Sequence, residues 1–241
     1  MWQQYAKLNI EPAISWKALL GESLFSKVQQ QFKQKHDKNH NSKQGKLMTK
    51  KYSWIQYPGL KIKLRKAVLE DRPIIYNWMA NSNITKTMLG GPDYPDAPIP
   101  SFDEFVEDFS DSFFTEIESS GKCFIIMNDN EEIGTLCYDL MNLRNNWVVL
   151  DIWLKDEMFC GKGYGSEALK LLCIYLFDSK GINNFYISPS LRNTRAIKSY
   201  EKAGFTKLKM NRTRARKKFG VDIFDYGDNV VLKKVINRTV K

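Results

Sequence analysis

The sequence predicts an α+β fold: a sheet with helices on its faces. Three observations predict it. Short runs of alternating or β-branched apolar residues recur from residue 60 onwards. Stretches of helical periodicity are interleaved among them, and one glycine-rich turn leads from a strand into a helix. The order along the chain is β-α-α-β-β-β-α-β-α-β-β.

Each element has its own signal. Leu60–Val68 alternates apolar and basic residues through Leu60, Ile62 and Leu64, as a half-buried strand does. Asp71 with Pro73 opens a helix carrying Ile74, Ile75, Trp78 and Met79. Gly90–Pro100 holds a Gly-Gly pair and four prolines, so it reads as loop. Ser101-Phe-Asp-Glu104 is a capping box. It predicts a helix over Ser101–Ser119, with Phe102, Phe105, Val106, Phe109, Phe113 and Ile117 on one face and most of its acids off it. Lys122–Asn128 and Glu132–Leu140 form a hairpin through Asp129-Asn130. Asn146–Leu154 is the third strand of that group. A helix over Gly163–Phe177, a strand over Asn183–Ser190 and a helix over Asn193–Ala203 follow. Strands over Phe205–Met210 and Val230–Ile236 complete the sheet.

Residues 1–59 read as a basic extension outside the globular domain of residues 60–241. Leu20, Leu24, Val28 and Phe32 predict one amphipathic helix near 15–33, and the polar stretch from Lys33 to Lys51 predicts a flexible linker. Translation from Met48 is an alternative start. The net charge of +10 divides into +11 over residues 1–66, −9 over 67–200 and +8 over 201–241. A basic pI alone would point to nucleic acid, but an acidic centre between basic ends points to a cationic substrate. For the dense run Arg212–Lys218, a solvated loop and a polyanion contact both fit.

No apolar run approaches membrane-spanning length, and no basic head followed by an apolar core marks a secretory signal, so a cytoplasmic protein is expected. Cys123, Cys137, Cys160 and Cys173 make no C-x-x-C pair, which favours free thiols over a disulfide framework or zinc site. His36 and His40 fit either a metal pair or a solvated linker, and the latter is simpler. No histidine follows residue 40, so the domain cannot run Ser-His-Asp or Cys-His chemistry. Any base there is a carboxylate, lysine, tyrosine or water.

The turn Cys160-Gly-Lys-Gly-Tyr-Gly165 follows the strand directly and opens a helix. A helix N-terminus presents unpaired N–H groups and a positive dipole end, and glycines let phosphate oxygens approach the backbone. Lys162 adds a cation. The G-x-G-x-x-G pattern fails because the glycines stand at 161, 163 and 165. The G-x-x-x-x-G-K-[ST] pattern fails because Asp156 is not glycine and Gly163 is neither Ser nor Thr.

The turn resembles the Q/R-x-x-G-x-G/A loop of the GNAT superfamily of N-acetyltransferases. Asn193-Thr-Arg-Ala-Ile-Lys-Ser-Tyr-Glu-Lys-Ala-Gly-Phe205 resembles that superfamily's N-x-x-A-x-x-x-Y-x-x-x-G-F helix, in the same order and with a strand between. The resemblance spans roughly residues 60–236. It implies the GNAT fold, a mixed, mostly antiparallel central sheet with helices on both faces and splayed where the acyl-CoA lies, and acetyl-CoA as co-substrate with no metal. It implies a diphosphate cradle at Cys160, Gly161, Lys162, Gly163, Tyr164, Gly165 and Ser166. The pantetheine arm is expected along Ile152, Trp153 and Leu154, with Asn193 and Ala196 opposite and an oxyanion donor in the backbone near Leu154. Cys160 departs from the pattern, since Gln or Arg usually stands there; one side-chain contact to the diphosphate is lost while the backbone cradle remains.

Two catalytic residues follow. Tyr200 of the second motif is the candidate acid for the departing sulfur, with core packing as its alternative role. Asp151 interrupts the apolar strand Val148–Leu154 and shares a face with Val149 and Trp153. An unpaired buried carboxylate is costly, so Asp151 either faces a cleft as the base or holds a structural partner. Burial would raise its pKa towards that of a working base.

Within the superfamily the chain most resembles aminoglycoside 6′-N-acetyltransferases, through Pro189-Ser190, Asn193, Arg195-Ala-Ile197 and Tyr200–Phe205. That implies a small cationic acceptor acetylated on a primary amine, as in antibiotic resistance. Asp103 and Glu107 of the acidic helix, with Asp151, are its expected contacts, although a solvated helix face is the plainer reading of those acids. Siderophore or hydroxylysine acyltransferases and acetyltransferases of ribosomal-protein N-termini share much of the pattern. A non-catalytic RNA- or partner-binding module is the reading from a different class. A monomer or homodimer is expected, with no membrane and no nucleic acid as partner.

Overall fold

A computed structural model describes residues 54–85, 99–115, 121–140, 146–219, 228 and 230–237. The expected helix near residue 24, the polar linker and the loop 90–98 lie outside the described residues. The elements are β1 (Trp54–Ile55), β2 (Ile62–Lys66), α1 (Arg72–Asn81), α2 (Phe102–Asp108), β3 (Gly121–Asn128), β4 (Glu131–Asp139) and β5 (Trp147–Leu154), then α3 (Tyr164–Lys180), β6 (Asn184–Ile187), α4 (Thr194–Lys202), β7 (Thr206–Lys207), α5 (Arg212–Phe219) and β8 (Leu232–Val235). The eight strands form one sheet in the order β1-β2-β3-β4-β5-β6-β8-β7. All neighbours pair antiparallel except β5 and β6, which run parallel and are joined through α3.

Alternation along β5 sorts the core. Val148, Leu150 and Ile152 enter the main cluster with Phe124, Leu136, Leu172, Phe185 and Phe205. Val149 and Trp153 face the other way, into two separate clusters. One cluster packs α1 and α2 on the sheet through Ile75, Trp78, Phe105 and Phe109. Burying each of these side chains contributes roughly 1.5–3 kcal/mol. The other seats Ala215 of α5 against Trp147, Val149, Tyr186 and Val231. Buried Arg65 ties α1 to the sheet by ion pairs to Asp71 at 2.7 Å and Glu132 at 2.6 Å.

Several expectations change. The sheet begins at Trp54, so the domain reaches into the segment assigned to the extension. The capping box at Ser101 and Glu104 forms, but α2 ends at Asp108. Phe109 leaves helical dihedrals at φ −106° and ψ 67°, and a separate 3-10 turn, Asp111–Phe113, carries Phe113 into the core. Residues 116–120 of the expected long helix lie outside the described residues. Arg212–Lys218 is helical, not loop; the Asn211 side chain accepts from the Arg214 N–H at 2.9 Å and caps it.

Cys123 and Cys137 are joined in a disulfide instead of standing as free thiols. They lie directly opposite each other in the β3–β4 register. The Cys123 carbonyl accepts from Ala67 on the other side, so the pair is a non-hydrogen-bonded one, the type that brings side chains closest. Cys160 and Cys173 remain free. Among the described residues, no helix is long and apolar enough to cross a membrane.

Candidate active site

The site exists because β5 outruns its pairing with β6. Their register covers only Trp147↔Asn184, Val148↔Phe185 and Val149↔Tyr186. Beyond it the strands part, and Leu150–Leu154 and Ile187–Ser190 become opposite walls of a cavity of about 400 Å³. The expected splay is therefore present, and it begins one residue pair before Asp151.

The turn into α3 closes one end. Asp156 caps a 3-10 turn over Glu157–Phe159, accepting from the Met158 N–H at 2.7 Å. Gly161 and Gly163 then adopt left-handed dihedrals, φ 77° and 90°, that L side chains rarely tolerate. A Cβ at either would meet no protein atom within 4 Å, so bare backbone forms the concave surface. Gly163 caps α3 without a side-chain hydrogen bond. The first-turn N–H groups, which have no helical partner of their own, are left for an anion. These features fit a diphosphate.

Of the expected cofactor residues, Ile152, Trp153, Leu154, Cys160, Gly161, Gly163, Tyr164, Gly165, Ser166, Asn193 and Ala196 all line this cavity. Lys162 does not line it. Its ammonium turns to the Phe159 ring, 5.9 Å from the centroid. Two side chains are already committed. The buried Ser166 hydroxyl donates to the Ser199 carbonyl at 2.8 Å, tying α3 to α4, so its backbone N–H is what remains. Asn193 caps α4, accepting from the Ala196 N–H at 3.1 Å.

Asp151 and Tyr200 enter the cavity from opposite elements, β5 and α4. Asp151 is half-buried, and its Oδ1 accepts from the Ile152 N–H at 3.0 Å. Tyr200 is only 8% exposed. Burial, with the Asp151 charge adding to it, holds its phenol well above the usual pKa. A phenol so placed keeps its proton at neutral pH.

Two of the expected acceptor contacts stand apart from this cavity. Asp103 and Glu107 are exposed on α2, and neither lines the cavity with Asp151. The half-buried acid of that helix is Asp108, pushed up to about 6 by burial and by repulsion from Glu107 and Glu104. A further carboxylate was not anticipated. Asp139 ends β4, and burial pushes it up to about 7. The registers Cys137↔Asp151 and Asp139↔Val149 put Asp139 on the face of Asp151, two residue pairs along the neighbouring strand. The sequence held that signal: Leu136 and Tyr138 face the main core, so Cys137 and Asp139 face the other way.

The matches to known proteins are consistent with this geometry. A family model described as a GNAT acetyltransferase domain matches residues 61–206. The aminoglycoside N(6′)-acetyltransferase type 1 of Klebsiella pneumoniae is 27% identical over 172 residues, which cover 67% of this chain and 82% of that protein. Among solved structures, AAC(6′)-Ib in complex with paromomycin and acetyl-CoA aligns with a TM-score of 0.57 and 21% identity, over 76% of this chain and 99% of that one. The ribosomal L7/L12 alpha-N-protein acetyltransferase RimL, in complex with coenzyme A, aligns with a TM-score of 0.57 and 20% identity, over 76% and 98%.

Proposed function

The chain belongs to the GNAT acetyltransferase family, whose members are acetyl-CoA-dependent N-acetyltransferases, and from that premise we propose that it acetylates a primary amine of a small polycationic acceptor, the 6′-amine of an aminoglycoside. The observation that carries this reading is the carboxylate face. Asp151 and Asp139 stand on one face of neighbouring strands, with Asp151 in the cavity that also holds the anion-binding turn and Tyr200. The 27% identity to an aminoglycoside N(6′)-acetyltransferase supports the acceptor class.

Acetyl-CoA supplies the activated thioester. The backbone N–H groups at Gly163–Ser166 would hold its diphosphate, and the two diverging strands would hold its pantetheine arm. Fixing the reacting carbon beside a bound amine converts a bimolecular encounter into a local one. As the C–N bond forms and the C–S bond breaks, Asp151 would take the proton of the attacking amine and Tyr200 Oη would supply one to the departing sulfur, both groups being reset by exchange with water. Asp139 lies on the same face outside the cavity lining, raised to about 7 by burial, and would gain charge as an ammonium group of the acceptor approached. The test is release of coenzyme A thiol across an amine panel. Saturable turnover with kanamycin- or tobramycin-like amines is expected, and silence across the panel would defeat the reading.

One observation favours a second acceptor. The cationic helix α5 packs through Ala215 on Val149, so it lies on the same face as Asp151. Such a flank would repel a polycation and attract the amino terminus of an acidic polypeptide. Turnover confined to acidic N-terminal peptides would select this reading, which resembles the RimL activity.

A further inference from the structure

Cys160 leaves the diphosphate without the usual long side-chain donor. A thiol is short and a weak hydrogen-bond donor, and here burial pushes its pKa up, so it stays neutral. Its Sγ points to the Asp156 carbonyl at 3.9 Å. Yet a cation stands at the same place from another element. Arg195, the second residue of α4, lines the cavity together with Cys160. Its Nη1 pairs with Glu157 Oε1 at 3.0 Å, and the Glu157 carbonyl in turn accepts from the Cys160 N–H at 2.9 Å. The guanidinium is near enough to Cys160 to favour its thiolate against burial.

We propose that Arg195 supplies, from α4, the side-chain cation for the coenzyme's diphosphate that Cys160 cannot supply from the turn, and that Glu157 holds it in position. The inference rests on the diphosphate lying on the Gly161–Ser166 turn.

The chemistry favours the exchange. The ion pair is solvent-accessible, with side chains 42% and 61% exposed, so it is weak and easily shared. A guanidinium has five N–H donors in a fixed fork suited to phosphate, and the bond to Glu157 uses one nitrogen. Glu157 is itself anchored, its N–H donating to Asn83 Oδ1 at 2.8 Å, so the pair holds α4 to the turn at a defined place. Lys162, the cation within the turn, faces Phe159 instead.

The test is calorimetric binding of coenzyme A, 3′-dephospho-coenzyme A and pantetheine to the full-length chain and its variants. Arg195→Ala should weaken coenzyme A and the dephospho form alike, by roughly 10- to 100-fold, the range for a hydrogen bond to a charged group. Pantetheine, which lacks the diphosphate, should be unaffected. In a Cys160→Arg background the Arg195→Ala loss should shrink, because one cation then replaces the other. An equal loss for pantetheine would make Arg195 a structural strap and overturn the proposal. So would a loss for coenzyme A but not for its dephospho form, which would assign Arg195 to the 3′-phosphate. Additive losses in the double variant would also overturn it. Gly163→Val separates the underlying reading: if it leaves coenzyme A binding intact, the diphosphate is not on this turn. If it weakens binding while Arg195→Ala does not, the Arg195 proposal alone fails.

Discussion

Asp151 and Tyr200 act on each other across the cavity that opens where β5 leaves β6. Burial comes first, and the Asp151 charge adds to it, in holding the Tyr200 phenol above its ordinary pKa. The phenol therefore keeps its proton at neutral pH, and the carboxylate helps to keep it there.

Removing the Tyr200 hydroxyl has a defined signature under the proposed mechanism. Tyr200→Phe should lower kcat by about 100-fold, the lower range for a positioned acid, while leaving coenzyme A affinity near that of the parent. Because the phenol is raised above 10.0, the parent should show no alkaline loss from Tyr200 up to pH 10. A pH–rate profile of both proteins checks this.

Asp151→Asn keeps the shape of the side chain and removes its basicity. We expect kcat to fall by about 100- to 10,000-fold with little change in the dissociation constant of acetyl-CoA. Equal losses in both would make Asp151 a structural carboxylate.

Much of the cavity lining was legible in sequence because the motif residues are placed by local backbone geometry. Gly161, Gly163, Asn193 and Ala196 stand where strand-turn-helix spacing puts them, and alternation alone placed Asp151 on the face of Val149 and Trp153. What was missed depended on tertiary choices. Nothing local marks the break at Phe109, where helix periodicity gives way so that Phe113 can enter the core. Asp103 and Glu107 looked as acidic as Asp108, and only packing separates them. The helix at Arg212 was hidden by its charge, although Asn211 was a readable cap. The Cys123–Cys137 pair required a strand register that spacing does not supply.

Asp139 should make stability depend on pH. Its folded pKa, about 7, exceeds the ordinary carboxylate value of 3.8. Folding therefore favours its protonated form, and this contribution is full below about pH 4 and lost as pH rises through 7. The shift corresponds to at most about 4 kcal/mol. Asp139→Asn should raise the Tm relative to the parent by a margin that grows from pH 4 to pH 8. Thermal melts across that range would show it, and a constant margin would contradict it. If Asp139 also binds the acceptor, the variant should raise the acceptor KM.

The disulfide closes a hairpin between residues 14 apart in sequence. A loop of about that length corresponds to roughly 3 kcal/mol. Reduction, or Cys123→Ser, should lower the Tm. Because Cys137 pairs with Asp151 across β4 and β5, acceptor KM should shift more than coenzyme A binding. Melts and kinetics with and without reductant measure both.

The most direct measurement places the acetyl group. The protein is given acetyl-CoA with equal concentrations of kanamycin and an acidic N-terminal peptide, and the products are read by mass spectrometry and NMR. Kanamycin acetylated on its 6′-amine is the expected product, with loss of that product in Asp151→Asn. Acetylation of the peptide with kanamycin untouched would contradict it.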